Sequence, residues 1–155
     1  MTPFLYDGAA AAIVAGSLSL GSDTLKVMLV NASYVAAKSD TVVKTAGGSD
    51  AAGAEINVPG YVPGYGGAGR QIAGQSVVTD TVGNAIRVIF PPITWTPLGG
   101  AQNDTITAAV LIKEGTSDDT TSQLLCYWPI TPYTTNGAGF QLVMDPTNGN
   151  LNLDC

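Results

Sequence analysis

The sequence predicts an all-β protein, an antiparallel β-sandwich or barrel with one or two short helices. Three observations lead to this prediction. Short apolar runs rich in branched residues recur along the chain, and such residues favour an extended backbone. Gly, Pro and Asn, which favour turns, separate these runs at short intervals. The chain has 155 residues, of which 45% are hydrophobic, and this suits a single domain over residues 1–155 with one core.

The clearest element is a central hairpin. Residues 106–113 and 124–130 are two apolar runs joined by a polar segment, residues 114–123. Both runs are too short for a helix, and both are rich in branched or bulky side chains. We expect two antiparallel strands in the middle of the sheet, joined by a mobile loop. Trp128 in the second strand, like Trp95 further upstream, is expected in the core.

Seven to nine strands are expected in all, mostly in antiparallel hairpins. The others are residues 23–31, 55–58, 75–82, 84–89, 93–96, 140–144 and 151–153. Gly83-Asn84 and Asn148-Gly149 are hairpin turn signals. They predict that the strands on either side of each turn pair with each other, so that residues 140–144 and 151–153 form a closing hairpin.

One short helix is expected over residues 9–15, which are mostly Ala, the residue of highest helix propensity. Asp7 can cap its first turn, and Gly16 can end it in a left-handed conformation. A second short helix is expected over residues 41–45, capped by Ser39 or Asp40 and ended by Gly47-Gly48.

Residues 58–74 form the Gly/Pro loop, a predicted long irregular segment in which Pro59-Gly60 and Pro63-Gly64 mark tight turns. Long loops in compact domains are usually functional or disordered. Tyr and Arg are enriched where interfaces concentrate binding energy. Tyr61, Tyr65 and Arg70 are therefore candidate partner-binding residues. The alternative is a surface loop that packs over its own sheet.

Residues 1–7 can form an N-terminal arm, which either packs on its own domain or reaches a neighbouring subunit. Phe4 and Tyr6 are the aromatic residues of this arm and complete the set of candidate partner-binding residues. The following apolar run is too short to cross a bilayer, and no basic residue precedes it as in a signal peptide. We therefore expect no membrane partner.

Charged residues make up only 12% of the chain, about half the usual share for a soluble domain. A surface of this kind fits a protein that packs against other subunits, although a β-rich domain with little charge is the alternative. The net charge is −6, and the six basic residues are spread singly along the chain. Nucleic-acid binding requires a basic patch, so no direct nucleic-acid partner is expected.

The residue types exclude most catalytic and cofactor chemistry. The chain has no His, which excludes Ser–His and Cys–His pairs, although a pair of carboxylates is left open. Residues 64–69 match G-x-G-x-x-G, but Pro-rich turns precede them and no helix is predicted to follow. Asp118-Asp119 fits a solvated loop tip, and residues 145–154 a hairpin, better than a calcium site. We expect no enzyme, no cofactor and no metal.

Two Cys residues do not make a disulfide framework, so a cytosolic history is expected. Cys126 lies within an apolar run, where a buried thiol behaves as a small hydrophobic group. Cys155 is the last residue, and a Cys126–Cys155 bridge is the alternative.

Seven segments follow one another in a distinctive order. They are FLYDGA, DTLKVMLVNASY, GYGGAGRQ, ITWT, AAVLIKEG, LLCYWPI and NGNLNL. This order resembles that of a group of small virion proteins of tailed bacteriophages, and the resemblance covers most of the chain. The chain departs from the pattern in its longer segment of residues 58–69.

The resemblance implies a non-enzymatic structural protein of the virion, with no catalytic residues to carry over. The members it resembles are accessory head proteins, so a capsid decoration or cement protein on the outer capsid surface is expected, made in the host cytoplasm. Its partners would be the major capsid protein and further copies of itself, in a homo-oligomer such as a trimer. The alternative is a tail, neck or fibre component, including a carbohydrate- or receptor-binding module whose Tyr and Trp would stack on sugar rings.

Overall fold

The computed structural model describes residues 2–45, 50–80, 85–143 and 151–154, and for Asp80, Ala85, Ile86 and residues 151–154 it describes the backbone only. The fold is mainly β with antiparallel sheets and one short helix, as predicted. The elements are β1 Phe4–Leu5, α1 Asp7–Val14, β2 Lys26–Val30, β3 Gln71–Ile72, β4 Ser76–Asp80, β5 Ala85–Ile89, β6 Ile93–Trp95, β7 Thr105–Lys113, β8 Gln123–Thr134, β9 Phe140–Leu142 and β10 Leu151–Asp154.

The main sheet has the strand order β1-β8-β7-β2-β3, and all its pairs are antiparallel. The predicted central hairpin is confirmed as β7 and β8, in which Leu111 lies opposite Cys126. Ala108 to Ile112 are all buried, which means that both faces of β7 are covered. The continuous apolar run in the sequence reflects this, because a strand with one solvated face would alternate with polar residues.

Three further strands form a ribbon with the order β10-β5-β4, and β6 pairs with β9. The predicted pairing of β4 with β5 is confirmed. The predicted closing hairpin is wrong, because β9 pairs with β6 and β10 pairs with β5. Phe140 of β9 contacts the rings of Trp95 and Tyr133. This packing favours β6 as the partner of β9, and a turn signal between β9 and β10 carries no information about it. The turn residues Gly83-Asn84 and Asn148-Gly149 lie outside the described residues.

Helix α1 begins at Asp7, and its N-cap is Tyr6, which makes no side-chain capping bond. The prediction of Asp7 as the cap is therefore wrong, because Tyr6 continues the extended backbone of β1 and the Asp7 N–H donates to the Lys38 carbonyl at 2.9 Å. Asp7 still places a negative charge in the first turn, which suits the helix dipole. Gly16 has a φ of 72°, the left-handed conformation predicted for it.

No helix in the described ranges is long and apolar enough to span a membrane.

The predicted second helix over residues 41–45 is wrong. Val42 forms a β-bridge with Gln123, and the Val43 N–H donates to the Ser122 carbonyl at 2.9 Å. Val43 is fully buried, so its branched side chain favours an extended segment beside β8 over a short surface helix. Gly47-Gly48, the predicted end of this helix, lie outside the described residues. The strand predicted over residues 55–58 is present only as isolated bridges of Glu55 and Val58.

The segment predicted as an N-terminal arm contains β1, which is an edge strand of the main sheet. Phe4 of β1 lies opposite Tyr127 of β8, and the two rings stack with centroids 5.3 Å apart. Tyr6 is fully buried, and its hydroxyl lies 2.8 Å from the hydroxyl of Tyr34. Among the two outcomes open for the arm, the structure shows packing on its own domain.

The core contains Trp95 and Trp128, which are 2% and 7% exposed, as predicted. Cys126 is also buried, and its thiol donates to the Phe4 carbonyl at 3.2 Å. Burial raises the pKa of the Cys126 thiol to about 12. The reactive thiolate is therefore scarce at neutral pH, and Cys126 acts as a small core residue. Cys155 lies outside the described residues.

Raising the pH is expected to destabilise the fold from about pH 9 upward. Burial raises the pKa of Cys126 from its ordinary 9.0 to about 12, and it raises the pKa of Tyr6, Tyr34 and Tyr61 above their ordinary 10.0. The folded state therefore keeps these protons more tightly than the unfolded state. Their contribution is intact below the ordinary values and is lost as the pH rises above them, at about 1.4 kcal/mol per pH unit for each group.

Chemical denaturation between about pH 8 and pH 11 measures this loss. In the Cys126→Ala variant the decline should begin about one pH unit later, where the tyrosines start to titrate. A free energy of unfolding that stays level to about pH 11 would contradict the prediction.

Candidate functional site

The Gly/Pro loop follows the β-bridge of Glu55 with Val30, and its residues 71–72 form the edge strand β3, within a segment that was predicted to be irregular. Gly60 and Gly64 have φ values of 84° and 89°, so each predicted turn contains a residue in the left-handed region that favours glycine. Residues 64–69 form turns and lead into β3, so no helix N-terminus is present there to bind a phosphate.

Arg70 closes the loop through a group of charged side chains that we call the Arg70 cluster, made of buried Arg70, Glu55 and Asp119 and partly exposed Glu114. Nε and Nη2 of Arg70 donate to the two oxygens of Glu55 at 2.9 and 2.7 Å. Nη1 and Nη2 donate to the two oxygens of Asp119 at 2.6 and 2.9 Å, and Nη1 also reaches Glu114 at 3.5 Å. All five N–H groups of the guanidinium therefore meet a carboxylate oxygen.

The three carboxylates of the cluster find their cations within the fold, and Arg70 pairs with all three. Arg70 is 3% exposed, while Glu55 and Asp119 are each 7% exposed. Burial by itself lowers the pKa of Arg70, but the hydrogen bonds and charges of Glu55 and Asp119 outweigh it and hold the pKa above its ordinary value. Lys26 adds a second cation, because its Nζ lies 2.6 Å from an oxygen of Glu114. The cluster thus connects the loop to β2 and to the β7–β8 connection.

Further hydrogen bonds attach the same loop to the core. The Tyr61 hydroxyl donates to Glu55 at 2.8 Å and accepts from the Leu29 N–H of β2 at 3.1 Å. The indole N–H of Trp95 donates to the Gly69 carbonyl at 2.6 Å. Burial raises the pKa of Tyr61 well above its ordinary value, so the hydroxyl stays a neutral donor. These bonds hold both ends of the loop on rigid strands.

The outer part of the loop, residues 62–66, is the loop tip. Val62 and Tyr65 are 60% and 40% exposed. The Tyr65 hydroxyl donates to the Gly115 carbonyl at 2.9 Å, and the Gly66 N–H donates to Glu114 at 3.2 Å. Residues 56–69 contain no charged residue. The loop tip is therefore an uncharged, partly apolar surface that is held by bonds to its own domain.

The structure separates the five candidate partner-binding residues. Arg70 and Tyr61 are buried in internal contacts, which agrees with the alternative of a loop packed over its own sheet. Tyr6 is buried under the opposite edge of the main sheet, where Phe4 is half-buried against Tyr127. Tyr65 is exposed at the loop tip.

Residues important to this site were missed. Glu55 and Glu114 are the only two Glu residues of the chain, and both bond Arg70. Glu is rare in this chain, which carries little charge, and this rarity was the sequence feature that could have drawn attention to both residues. Asp118 and Asp119, in the connection between β7 and β8, were both predicted to be solvated. Of these two residues only Asp118 is exposed, because the Asp119 side chain points inward and bonds Arg70. The connection that was predicted to be mobile is therefore tied to the Gly/Pro loop.

A second apolar surface lies at the base of the ribbon, where the chain passes from β3 to β4 and from β5 to β6. A groove of about 400 Å³ opens there. It is lined by Gly74, Ser76, Ile89, Phe90, Pro91, Pro92 and Val143. None of these side chains is charged or titratable, so the groove offers apolar contact area and no acid–base group.

Within the described residues, no group of three or more His, Cys, Asp or Glu side chains is arranged to hold a metal ion. Comparison of the chain with protein-family models, with curated proteins and with solved structures finds no match. What the chain does must therefore be inferred from its own sequence and geometry.

Proposed function

We propose that this chain is a non-enzymatic structural protein of a tailed-bacteriophage virion, a decoration protein that binds the outer surface of the head and stabilises the major capsid lattice. The observation that carries the proposal is the loop tip, an uncharged exposed surface fixed to the domain by a buried charge cluster. The order of the seven sequence segments, which resembles that of small virion proteins, supports the same function.

The loop tip has the properties of a preformed binding element. Binding costs free energy when a flexible loop becomes ordered, and a loop already held by its own domain avoids much of that cost. Its Gly residues carry no side chain, so the backbone can approach a partner closely. Val62 and Tyr65 supply apolar contact area without a charge that would have to be desolvated.

A repeating shell suits a binding element of this size. One loop tip buries too little surface for tight binding by itself. Copies that associate with one another in a homo-oligomer would engage several capsid subunits at once, and linked weak contacts give high avidity. The low charge of the whole chain fits a protein that is packed against other subunits.

Placing a charge on the loop tip is expected to weaken capsid binding. Val62→Asp should raise the dissociation constant for capsids that lack this protein by roughly tenfold or more, because an unpaired carboxylate would be buried at the contact. Co-sedimentation of purified protein with such capsids measures the affinity and the number of bound copies. Wild-type protein should saturate the capsids, and the number of copies bound at saturation should be in a simple ratio to the number of major capsid protein subunits.

Val14→Asp is the matched control, since Val14 is 89% exposed at the end of α1 and its change should leave binding unaltered. Failure of the wild-type protein to bind would overturn the proposal. Saturation at roughly a dozen copies, the number expected of a ring and not of a lattice, would favour a neck or tail position.

A carbohydrate-binding module has less support. Sugar rings stack on exposed aromatic faces, and both Trp95 and Trp128 are buried. Tyr65 is the aromatic residue of the loop tip that could serve this role. Glycan-array binding that Tyr65→Ser abolishes, in a protein that does not bind capsids, would favour this alternative.

A further inference from the structure

Strand β4 has an open edge. It pairs with β5 on one side, and no strand in the described part of the chain pairs with its other side. Ser76 to Thr79 are all exposed, and Val77 and Val78 are 44% and 42% exposed. Successive side chains of a strand point to opposite faces, so apolar surface is exposed on both faces of this edge.

Apart from the charge of Asp80 at its end, the edge lacks the features that usually prevent a strand from pairing with another chain. Its sequence, Ser-Val-Val-Thr-Asp, contains no Lys and no Pro. The pairing with β5 runs without a register shift from Ser76–Ile89 to Asp80–Ala85, so no bulge interrupts it. Open edges without these features are templates for strand addition.

We propose that the open edge of β4 pairs with β4 of a second copy of this chain, antiparallel across a two-fold axis. Such an axis places one residue of the strand opposite its own copy. An axis at Val78, the middle of Ser76–Asp80, pairs the whole strand with itself, so that Val77 lies opposite Thr79 and Ser76 opposite Asp80. The two ribbons then form one sheet with the order β10-β5-β4-β4-β5-β10.

The charges favour a second copy as the partner. Self-pairing across a two-fold axis places the residue on the axis beside its own copy, so a charge at the middle of the strand would face a like charge. Val77, Val78 and Thr79 are uncharged. The two Asp80 residues would lie four residues apart along the strands, about 14 Å. The two Arg87 residues, opposite Val78 in β5, would lie three strand spacings apart, also about 14 Å. Both separations exceed the screening length of about 8 Å at physiological salt.

This association needs no capsid and can be measured separately from the proposed function. Analytical ultracentrifugation of the purified wild-type chain over a range of concentrations should show a reversible monomer–dimer equilibrium. Val78→Lys should raise its dissociation constant by roughly tenfold or more, since two ammonium groups would face each other at the axis. Val35→Lys, at a residue 73% exposed and outside the strands, is the control that should leave the equilibrium unchanged.

Mixing provides the test of the axis. Val78→Glu alone should dissociate as Val78→Lys does, whereas an equimolar mixture of the two variants should form a heterodimer. The circular dichroism spectrum of each variant is first compared with that of the wild type. Both variants are expected to fold, because the side chain of residue 78 is exposed. A wild-type chain that stays monomeric, a Val78→Lys variant that associates like wild type, or variants that do not associate on mixing would each overturn the proposal. Dimers of the wild type that Val78→Lys leaves intact would indicate a different surface.

Discussion

Replacing Arg70 with Met is expected to lower the free energy of unfolding by about 3–5 kcal/mol, because it leaves the carboxylates of Glu55 and Asp119 buried without a cation. Met has a similar length and keeps the packing of the side-chain stem, so the loss should come from charge and hydrogen bonding. Chemical denaturation at neutral pH measures it. Because the Arg70 cluster holds the loop, the variant should also bind capsids less well than its folded fraction predicts.

Lys113→Met is the matched control. Lys113 also makes an ion pair, with Asp23 at 2.8 Å, but the two side chains are 34% and 24% exposed. Solvent-accessible pairs contribute about 0–1 kcal/mol, so this variant should remain close to wild type. Adding Glu55→Gln and Asp119→Asn to Arg70→Met should restore part of the lost stability, since the uncompensated charges are removed. An Arg70→Met variant as stable as Lys113→Met would refute the structural role of the cluster.

Gly60→Ala is the second change with a large expected effect. Gly60 has a φ of 84°, and a Cβ built there would collide with the carbonyl oxygen of Pro97. That oxygen belongs to backbone and cannot rotate away, because the segment is held where the Gly99 N–H donates to the Pro59 carbonyl at 2.8 Å. The variant must therefore separate the loop from this segment. We expect a loss of about 1–3 kcal/mol beyond the cost of the left-handed backbone itself.

Gly64→Ala measures the cost of the left-handed backbone alone. Gly64 has a nearly equal φ of 89°, but a Cβ there meets nothing within 4 Å. Its expected loss is about 1–2 kcal/mol. The difference between the two variants in thermal or chemical denaturation isolates the steric term. Equal losses would mean that the contact with Pro97 is not rigid.

The elements that were predicted correctly are those whose signal is local. The hairpin of β7 and β8 follows from two apolar runs and the polar segment between them, and the left-handed Gly16 follows from a glycine at the end of an Ala-rich run. The partner of β9 depends on how Phe140 packs against Trp95, which lies 45 residues away. A turn signal specifies a reversal of the chain, but it does not specify which strand comes to lie beside the next one.

The candidate site shows a related limit. Tyr61 and Arg70 were chosen because their residue types are enriched at interfaces, but the same types also stabilise buried polar networks. The acceptors of Arg70 are 15, 44 and 49 residues away in sequence, so no local pattern connects them. Tyr65 was identified because it shares its type with Tyr61, and exposed Val62 was passed over because Val usually lies in a core.

The pairing of β1 with β8 has a consequence for synthesis of the chain. Phe4 and Cys126 are joined across 122 residues, so β1 cannot find its place until the ribosome has released the segment of β8 around Tyr127. At about 5–20 residues per second, the N-terminal strand waits roughly 6–25 s. During that interval Phe4, Leu5 and Tyr6 are exposed, and they are the kind of apolar segment that chaperones bind. Hairpins of short separation should form first, and β1 should be among the last strands to dock.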